Sequence, residues 1–297
     1  MHSLKTNKSK TVSLVLGSGG ARGLAHIGVI HYLEEHGYHV HSISGSSMGV
    51  LIGGVYAAGK LNEFEKWVRA ITKLDILTLL DISWSTSGLV KGDKIINTLI
   101  DLVGDIMIED LAISYTAVAA DVKEEKEIWI NSGRLFDAIR ASISLPMFFT
   151  PHSYNGLHLI DGGVLNPVPI APTFNDNTDV TIAVNLGGKL LAESKGVEHN
   201  KIPKKQNNEE ASRKVHRFIE QLTQSITPVA KLDLSVYEIA NQAFDAMQST
   251  IARQKLAAYP PDKSIEIARN ACGTLEFNRA DEMIALGYQK AQEVLGL

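Results

Sequence analysis

Residues 11–59, TVSLVLGSGGARGLAHIGVIHYLEEHGYHVHSISGSSMGVLIGGVYAAG, decide the fold. The stretch opens on a short apolar, β-branched run that ends in glycine, which predicts a first strand over Thr11–Leu16. The loop GSGGARG follows. Leu24, Ile27, His31 and Glu34 then begin a helix that runs to His36, with Gly37 placed to cap it. Val40–Ser44 reads as a second strand, GSSMG as a tight turn and Met48–Ala58 as a second helix. Strand, loop, helix, strand, turn, helix is the order of a parallel sheet covered by helices.

No Asp, Glu, Lys or Arg occurs from His36 to Gly59. A membrane-spanning helix needs about 20 predominantly apolar residues, and this run carries three histidines, four serines and repeated glycines. A buried strand, turn and helix explains it better.

Further strands are expected at Tyr115–Ala120, Ile128–Asn131, Leu157–Ile160 and Val180–Asn185. Helices are expected at Asn62–Ile71, Asp93–Val103, Leu135–Ser142, Arg213–Ser225, Leu234–Ala257 and Ala280–Leu295. The pattern predicts an α/β fold of three layers, α/β/α, with a mainly parallel central sheet. The clearest shift in composition is Lys189–Arg213, polar and aperiodic, which reads as a mobile surface loop. Beyond it, Ile239, Ala243, Met247 and Ile251 recur at helical spacing and predict packing through that stripe. With no internal repeat, the chain reads as one domain over residues 1–297. Its core motifs lie in 11–187, the polar loop in 189–213 and a helical segment packed on the core in 214–297.

Composition narrows the function. With 44% hydrophobic and 21% charged residues the chain is neither disordered nor collagen-like. Lys and Arg number 29 against 33 Asp and Glu, a net charge of −4, which lacks the basic excess of a nucleic-acid binder. One cysteine, Cys272, excludes intramolecular disulfides and cysteine-rich metal clusters and fits a reducing, cytoplasmic setting. The opening MHSLKTNKSK lacks the apolar region and cleavage site of a signal peptide. No calcium loop of the D-x-[DN]-x-[DN]-G type is present, so neither metal nor cofactor is expected.

Two glycine-rich turns carry the chemistry. Gly45-Ser46-Ser47-Met48-Gly49 is a G-x-S-x-G between strand and helix. Its serine, Ser47, would sit exposed on a strained elbow at a helix N-terminus, whose dipole favours developing negative charge. By itself the pentapeptide also reads as an ordinary glycine-serine turn. Gly17–Gly23 offers backbone amides at a helix start, suited to a phosphate or an oxyanion. A dinucleotide site wants an acidic residue about 20 positions on, yet none lies between Glu35 and Glu63. A phosphate-binding P-loop wants Gly-Lys-Ser/Thr, and the loop has no lysine. The oxyanion reading survives.

A hydrolytic serine needs a base. Downstream of Ser47 the histidines are His152, His158, His199 and His216. His199 falls in the polar loop and His216 opens the helix after it, so neither suits a triad. His26, His31 and His36 scatter around a helix, and His39 and His41 share a strand face with no further ligand. Asp161-Gly162-Gly163, at the end of the apolar run LHLI, is the better candidate, although Asp-Gly is commonly just a turn. A carboxylate of ordinary pKa, about 3.9, is a weak base at neutral pH. Desolvation beside an apolar pocket would raise it and improve proton abstraction. Ser142 and Ser144, before Pro146, read as capping or ending a helix, and Asp121, at a strand end, reads as structural at least as readily as lining the site. Trp67 and Trp84 read equally as core packing or as an acyl-binding wall or lid.

Taken together, these blocks resemble the bacterial patatin-like phospholipases, the group related to neuropathy target esterase. LVLGSGGARGLAHIGVI (14–30) is similar to the family's oxyanion block and ISGSSMGVLIGGVYAAG (43–59) to its nucleophile block. AIRASISLPMFFTP (138–151) and LIDGGVLNPVPI (159–170) resemble the next two, and AAYPPD (257–262) with FNRADEMIALGYQKA (277–291) its carboxyl-terminal segment. Ser18 departs from the pattern, where the family often has glycine. The resemblance implies the patatin-like hydrolase fold and a Ser–Asp dyad without histidine. Ser47 is then the nucleophile, Asp161 the general base, and the amides of Gly19, Gly20 and Arg22 the oxyanion donors. It also implies a lipid ester substrate cleaved through an acyl-enzyme, with transient peripheral membrane contact. The side chain of Arg22 either pairs within the protein or holds a lipid phosphate, with pairing preferred. The rival readings are an esterase with a Ser-Asp-His triad and a non-catalytic regulatory member of the family.

Overall fold

The computed structural model describes residues 9–79, 90–190 and 234–296. In chain order its strands are β1 (Lys10–Leu16), β2 (Tyr38–Ser46), β3 (Ser114–Asp121), β4 (Lys126–Ile130), β5 (His152–Tyr154), β6 (Leu157–Asp161), β7 (Val180–Gly188) and β8 (Lys263–Ala268). Its helices are α1 (Ala25–Glu35), α2 (Met48–Ala57), α3 (Leu61–Ala70), α4 (Lys73–Leu79), α5 (Asp93–Val103), α6 (Leu135–Ser142), α7 (Leu234–Ala258) and α8 (Ala280–Leu295). The strands form one sheet in the order β5-β6-β3-β2-β1-β7-β8, with β4 also paired to β3. From β3 through β8 the neighbours run parallel. Antiparallel pairing is confined to β4 and β6 on β3 and to β5 on β6.

Strands buried on both faces read as continuous apolar runs, and β1 shows why. Leu14 and Leu16 point into the main core with Ile27, Val50 and Ile284. Val15, on the opposite face by strand alternation, joins Val168, Ile170, Ala183 and Ala252 in a second, smaller core. Helices therefore lie on both faces of a mainly parallel sheet, as the sequence predicts. This arrangement puts the carboxyl ends of β1 and β2 side by side, where an open α/β sheet characteristically binds its ligand.

The chain divides into two compact units, Met1–Leu191 with Asp245–Leu297, and Ala192–Phe244. The first contains the whole sheet. Of the second, only the start of α7 falls among the described residues.

The expected Asp93–Val103, Leu135–Ser142 and Ala280–Leu295 helices have those bounds. Elsewhere the ends move by a few residues; β2, for example, continues through Ser46 instead of stopping at Ser44. Three elements, α4, β5 and β8, have no counterpart in the sequence expectation. α7 also packs differently from expectation. Ile239 and Met247 are 65% and 57% exposed, while Gln248, Ser249 and Ala252 are buried. The buried face is largely polar because it meets polar partners, Ser18 among them. Residues 1–8, the loop from 191 to 213, the Arg213–Ser225 helix, Trp84, His199 and His216 lie outside the described residues.

Candidate active site

β2 ends at Ser46 and α2 starts at Met48, so Ser47 alone makes the turn, with φ 54° and ψ −120°. A residue with a side chain at positive φ is strained and persists only when its surroundings over-determine it. Two features do so here. Gly49 lies so close to β1 that a Cβ there would sit 2.0 Å from the Leu16 carbonyl oxygen. In addition, the Ser47 amide donates to Ser142 Oγ at 2.9 Å, and that hydroxyl donates to the Val118 carbonyl at 2.6 Å. Val118 is paired with Ser46 across β2 and β3, so the bond ties the turn to the sheet.

Asp161 ends β6, paired with Ala119 of β3, and its amide donates to the Ser144 carbonyl at 3.0 Å. The residue is fully buried. Its Oδ1 accepts from the Gly163 amide at 2.7 Å, whereas Oδ2 is buried and meets no well-aligned donor among the described residues. Burial pushes the Asp161 carboxyl up to about 6, against smaller opposing pulls from the Ser47 hydroxyl and the Gly163 amide. Ser47 is thus near enough to influence the carboxyl without making an aligned hydrogen bond to it.

In the glycine loop, the amides of Gly17, Ser18 and Ala21 donate to the carbonyls of Val184, Pro167 and Thr274 at 3.0, 2.8 and 2.8 Å. The amides of Gly19 and Gly20 donate to no described residue. Gly20 has φ 57°, and a Cβ there would lie 2.5 Å from the Thr274 carbonyl oxygen. Gly20 and Ser47 line the same cleft, of about 850 Å³ including space open to solvent. Leu51, Trp67, Leu99, Ile143 and Phe148 form much of its wall, and among the described residues no charged side chain lines it. Gly19 packs against Leu186 of β7.

The Arg22 side chain is buried. Nη2 donates to Asp245 Oδ1 at 2.9 Å, and Nη1 to the carbonyls of Arg269 and Cys272 at 3.1 and 3.3 Å. It pairs within the protein, the preferred of its two readings.

No histidine among the described residues hydrogen-bonds Ser47 or Asp161. His26 is buried with Nε2 2.9 Å from the Gly17 carbonyl oxygen, and burial lowers its pKa to about 4. His31 pairs with Glu65, His36 stacks on Tyr32, and His39 and His41 are exposed. Asp121 is occupied by the turn it starts, accepting from the amides of Lys123 and Glu124. Among the described residues no group of three or more His, Cys, Asp or Glu is placed to hold a metal. No helix there is long and apolar enough to cross a membrane.

Sequence reasoning reads Ser142 only as a helix end and gives no sign of Asp245 or Gln248, yet all three touch this site. Ser142 falls within a recognised block, which is its only signal. Asp245 and Gln248 sit on a helix with no motif at all.

A serine on a strand-to-helix elbow, opening on a cleft at the carboxyl edge of a helix-covered sheet, defines a class: the α/β proteins with a serine elbow of the G-x-S-x-G type. Within that class, the family model described as patatin-like phospholipase matches residues 14–174, which include the glycine loop, the elbow and Asp161. The chain belongs to the patatin-like phospholipase family. It is 38% identical to an uncharacterised NTE family protein of Mycobacterium tuberculosis, over 98% of this chain and 93% of that protein. Lysophospholipase NTE1 of Saccharomyces cerevisiae is 31% identical over 60% of this chain and 11% of its own length. Neuropathy target esterase sws of Drosophila melanogaster is 31% identical over 60% of this chain and 12% of its own. Among solved structures, VipD from Legionella pneumophila matches 96% of this chain and 66% of its own, at 13% identity and a TM-score of 0.45. That likeness is too distant to bear on function.

Proposed function

We propose that this protein is a serine acyl hydrolase of lipid esters, with Ser47 as nucleophile and Asp161 as its base. The observation that carries the reading is the juxtaposition of three parts: the Ser47 elbow opens into a cleft lined by no charged side chain among the described residues, the buried Asp161 carboxyl lies near Ser47, and the Gly20 amide, which donates to no described residue, lies beside it. Asp161 accepts the Ser47 proton as Oγ attacks the ester carbonyl. The tetrahedral oxyanion is stabilised by the amides of Gly19 and Gly20, with that of Arg22, and each such donor is worth about 10²–10³ in rate. The protonated Asp161 returns its proton to the departing alcohol, leaving the acyl group on Ser47. Water, deprotonated by Asp161, then releases the fatty acid. A carboxyl raised to about 6 is a better match to this task than one of ordinary pKa.

The apolar cleft fits an acyl chain, and the relatives named lysophospholipase and esterase support an ester-linked lipid as substrate. Access to such a substrate implies transient contact with a lipid surface.

The test is labelling with a fluorophosphonate followed by peptide mapping. The expected adduct is on Ser47, absent in Ser47→Ala. An adduct elsewhere, or none, overturns the proposal.

A further inference from the structure

Two side chains one turn apart on α7 hold the two ends of the glycine loop. Asp245 Oδ1 accepts from Arg22 Nη2 at 2.9 Å, and Gln248 Nε2 donates to Ser18 Oγ at 3.1 Å. Gly19 and Gly20, with their unspent amides, lie between these anchors. Gln248 and Ser18 are 7% and 8% exposed. Gln248 also reaches the aspartate side of the site: a Cβ on Gly163 would sit 2.2 Å from its Nε2 and 2.5 Å from Ser18 Oγ. Gly163 in turn donates to Asp161.

A helix that only had to cover the sheet would bury an apolar stripe, because buried polar groups carry a desolvation cost that hydrogen bonds merely offset. α7 does the reverse, burying Gln248 and Ser249 while leaving Met247 exposed. Buried polar contacts fix geometry more sharply than apolar packing does.

We infer that Asp245 and Gln248 are positioning residues. α7 braces Ser18 and Arg22 so that the Gly19 and Gly20 amides stay aimed at the oxyanion formed on the Ser47 ester. This inference rests on reading Ser47 and the glycine loop as nucleophile and oxyanion donors.

The experiment uses the full chain and p-nitrophenyl butyrate, with kcat referred to sites titrated by a fluorophosphonate. Gln248→Met keeps length and removes the donor, and Ser18→Ala removes the acceptor. Each lowers kcat about tenfold or more, since a small misplacement in a preorganised site costs up to about 10²-fold. KM changes less than about threefold, because the amides act mainly on the transition state. The double variant falls no further than either single one, as expected for two halves of one contact. Gln248→Glu, which can accept from the Ser18 hydroxyl, recovers most of the rate. A purely structural contact would lower the fraction of titratable sites and leave kcat per site within about twofold of wild type, and that result overturns the inference. Hydrogen exchange over residues 17–24 decides the brace even if the wild type neither turns over nor labels, the outcome that defeats the functional reading itself. Faster exchange there in Gln248→Met, with the sheet unchanged, supports the brace; unchanged exchange overturns it.

Discussion

The Ser47 amide is held by the Ser142 hydroxyl at 2.9 Å, a contact between the elbow and the last residue of α6. The strained turn is therefore secured by a residue from another helix, which itself is anchored on the Val118 carbonyl of the sheet. α6, β3 and the elbow are joined through this one hydroxyl.

Removing that hydroxyl in Ser142→Ala leaves the Ser47 amide and the Val118 carbonyl without their buried partner. The expected loss is about 1–3 kcal/mol of stability, the cost of unsatisfied buried groups, together with a clear drop in kcat. Ser142→Thr, which keeps a hydroxyl, retains most of both. Denaturant unfolding and ester hydrolysis on the same preparations provide the check.

Asp161 sets the pH dependence. With the carboxyl at about 6, kcat/KM for ester hydrolysis rises as pH increases through that value and levels above it, because the base must be ionised. Asp161→Asn loses activity at every pH. A wild-type profile flat from pH 5 to pH 8 would remove Asp161 from the role of base.

The same shift makes a stability prediction of opposite sense. The folded state raises Asp161 from 3.8 to about 6, so it holds the proton more tightly than the unfolded chain does. The stability this contributes is complete below 3.8 and is lost as pH rises through about 6. Asp161→Asn, which cannot ionise, therefore gains on wild type over that interval, by on the order of 3 kcal/mol at about 1.4 kcal/mol per pH unit. Unfolding midpoints of the two proteins measured at pH 3.5 and pH 8, which bracket the interval, read the difference.

Gly49→Ala would put a methyl group 2.0 Å from the Leu16 carbonyl oxygen. Backbone on both sides leaves little room to relax, so the expected destabilisation is about 3 kcal/mol or more, at or beyond the upper range of overpacked cores. Gly37→Ala, where a Cβ meets nothing within 4 Å but φ is 75°, costs only about 1 kcal/mol from the backbone alone. Thermal unfolding of the pair separates the two effects.

Leu145 lines the apolar cleft. Filling the space with Leu145→Trp shortens the preferred acyl chain, since each buried CH₂ is worth about 0.8 kcal/mol. Relative to wild type, kcat/KM on a long-chain p-nitrophenyl ester falls about tenfold more than on the acetate ester, a difference of about 1.4 kcal/mol. Equal losses on both would show that the acyl chain lies elsewhere.

Much of this molecule is legible in its sequence. α5, α6 and α8 have the bounds their residue spacing predicts, since amphipathic or apolar spacing over two or more turns is a local signal. β8 escapes such reading although Ile265 and Ile267 alternate with polar neighbours, because six residues beside a long helix leave little pattern to count. The stripe Ile239, Ala243, Met247 and Ile251 predicts the buried face of α7, and its exposed members show the limit of such reasoning. Periodicity tells which residues share a face, while the neighbour decides which face is buried.

The positions of Ser47 and Asp161 at the ends of β2 and β6, and of Gly19 and Gly20 in the loop after β1, follow from the sequence alone. Strand length, glycine spacing and turn chemistry are local signals that place these residues along the chain. Only the tertiary structure decided that Ser142 holds the elbow, that Asp245 and Gln248 reach Arg22 and Ser18, and that burial raises the Asp161 carboxyl. Each depends on segments far apart in the chain meeting in a solvent-excluded interior, where hydrogen-bond partners and desolvation are set by packing rather than by neighbours in sequence.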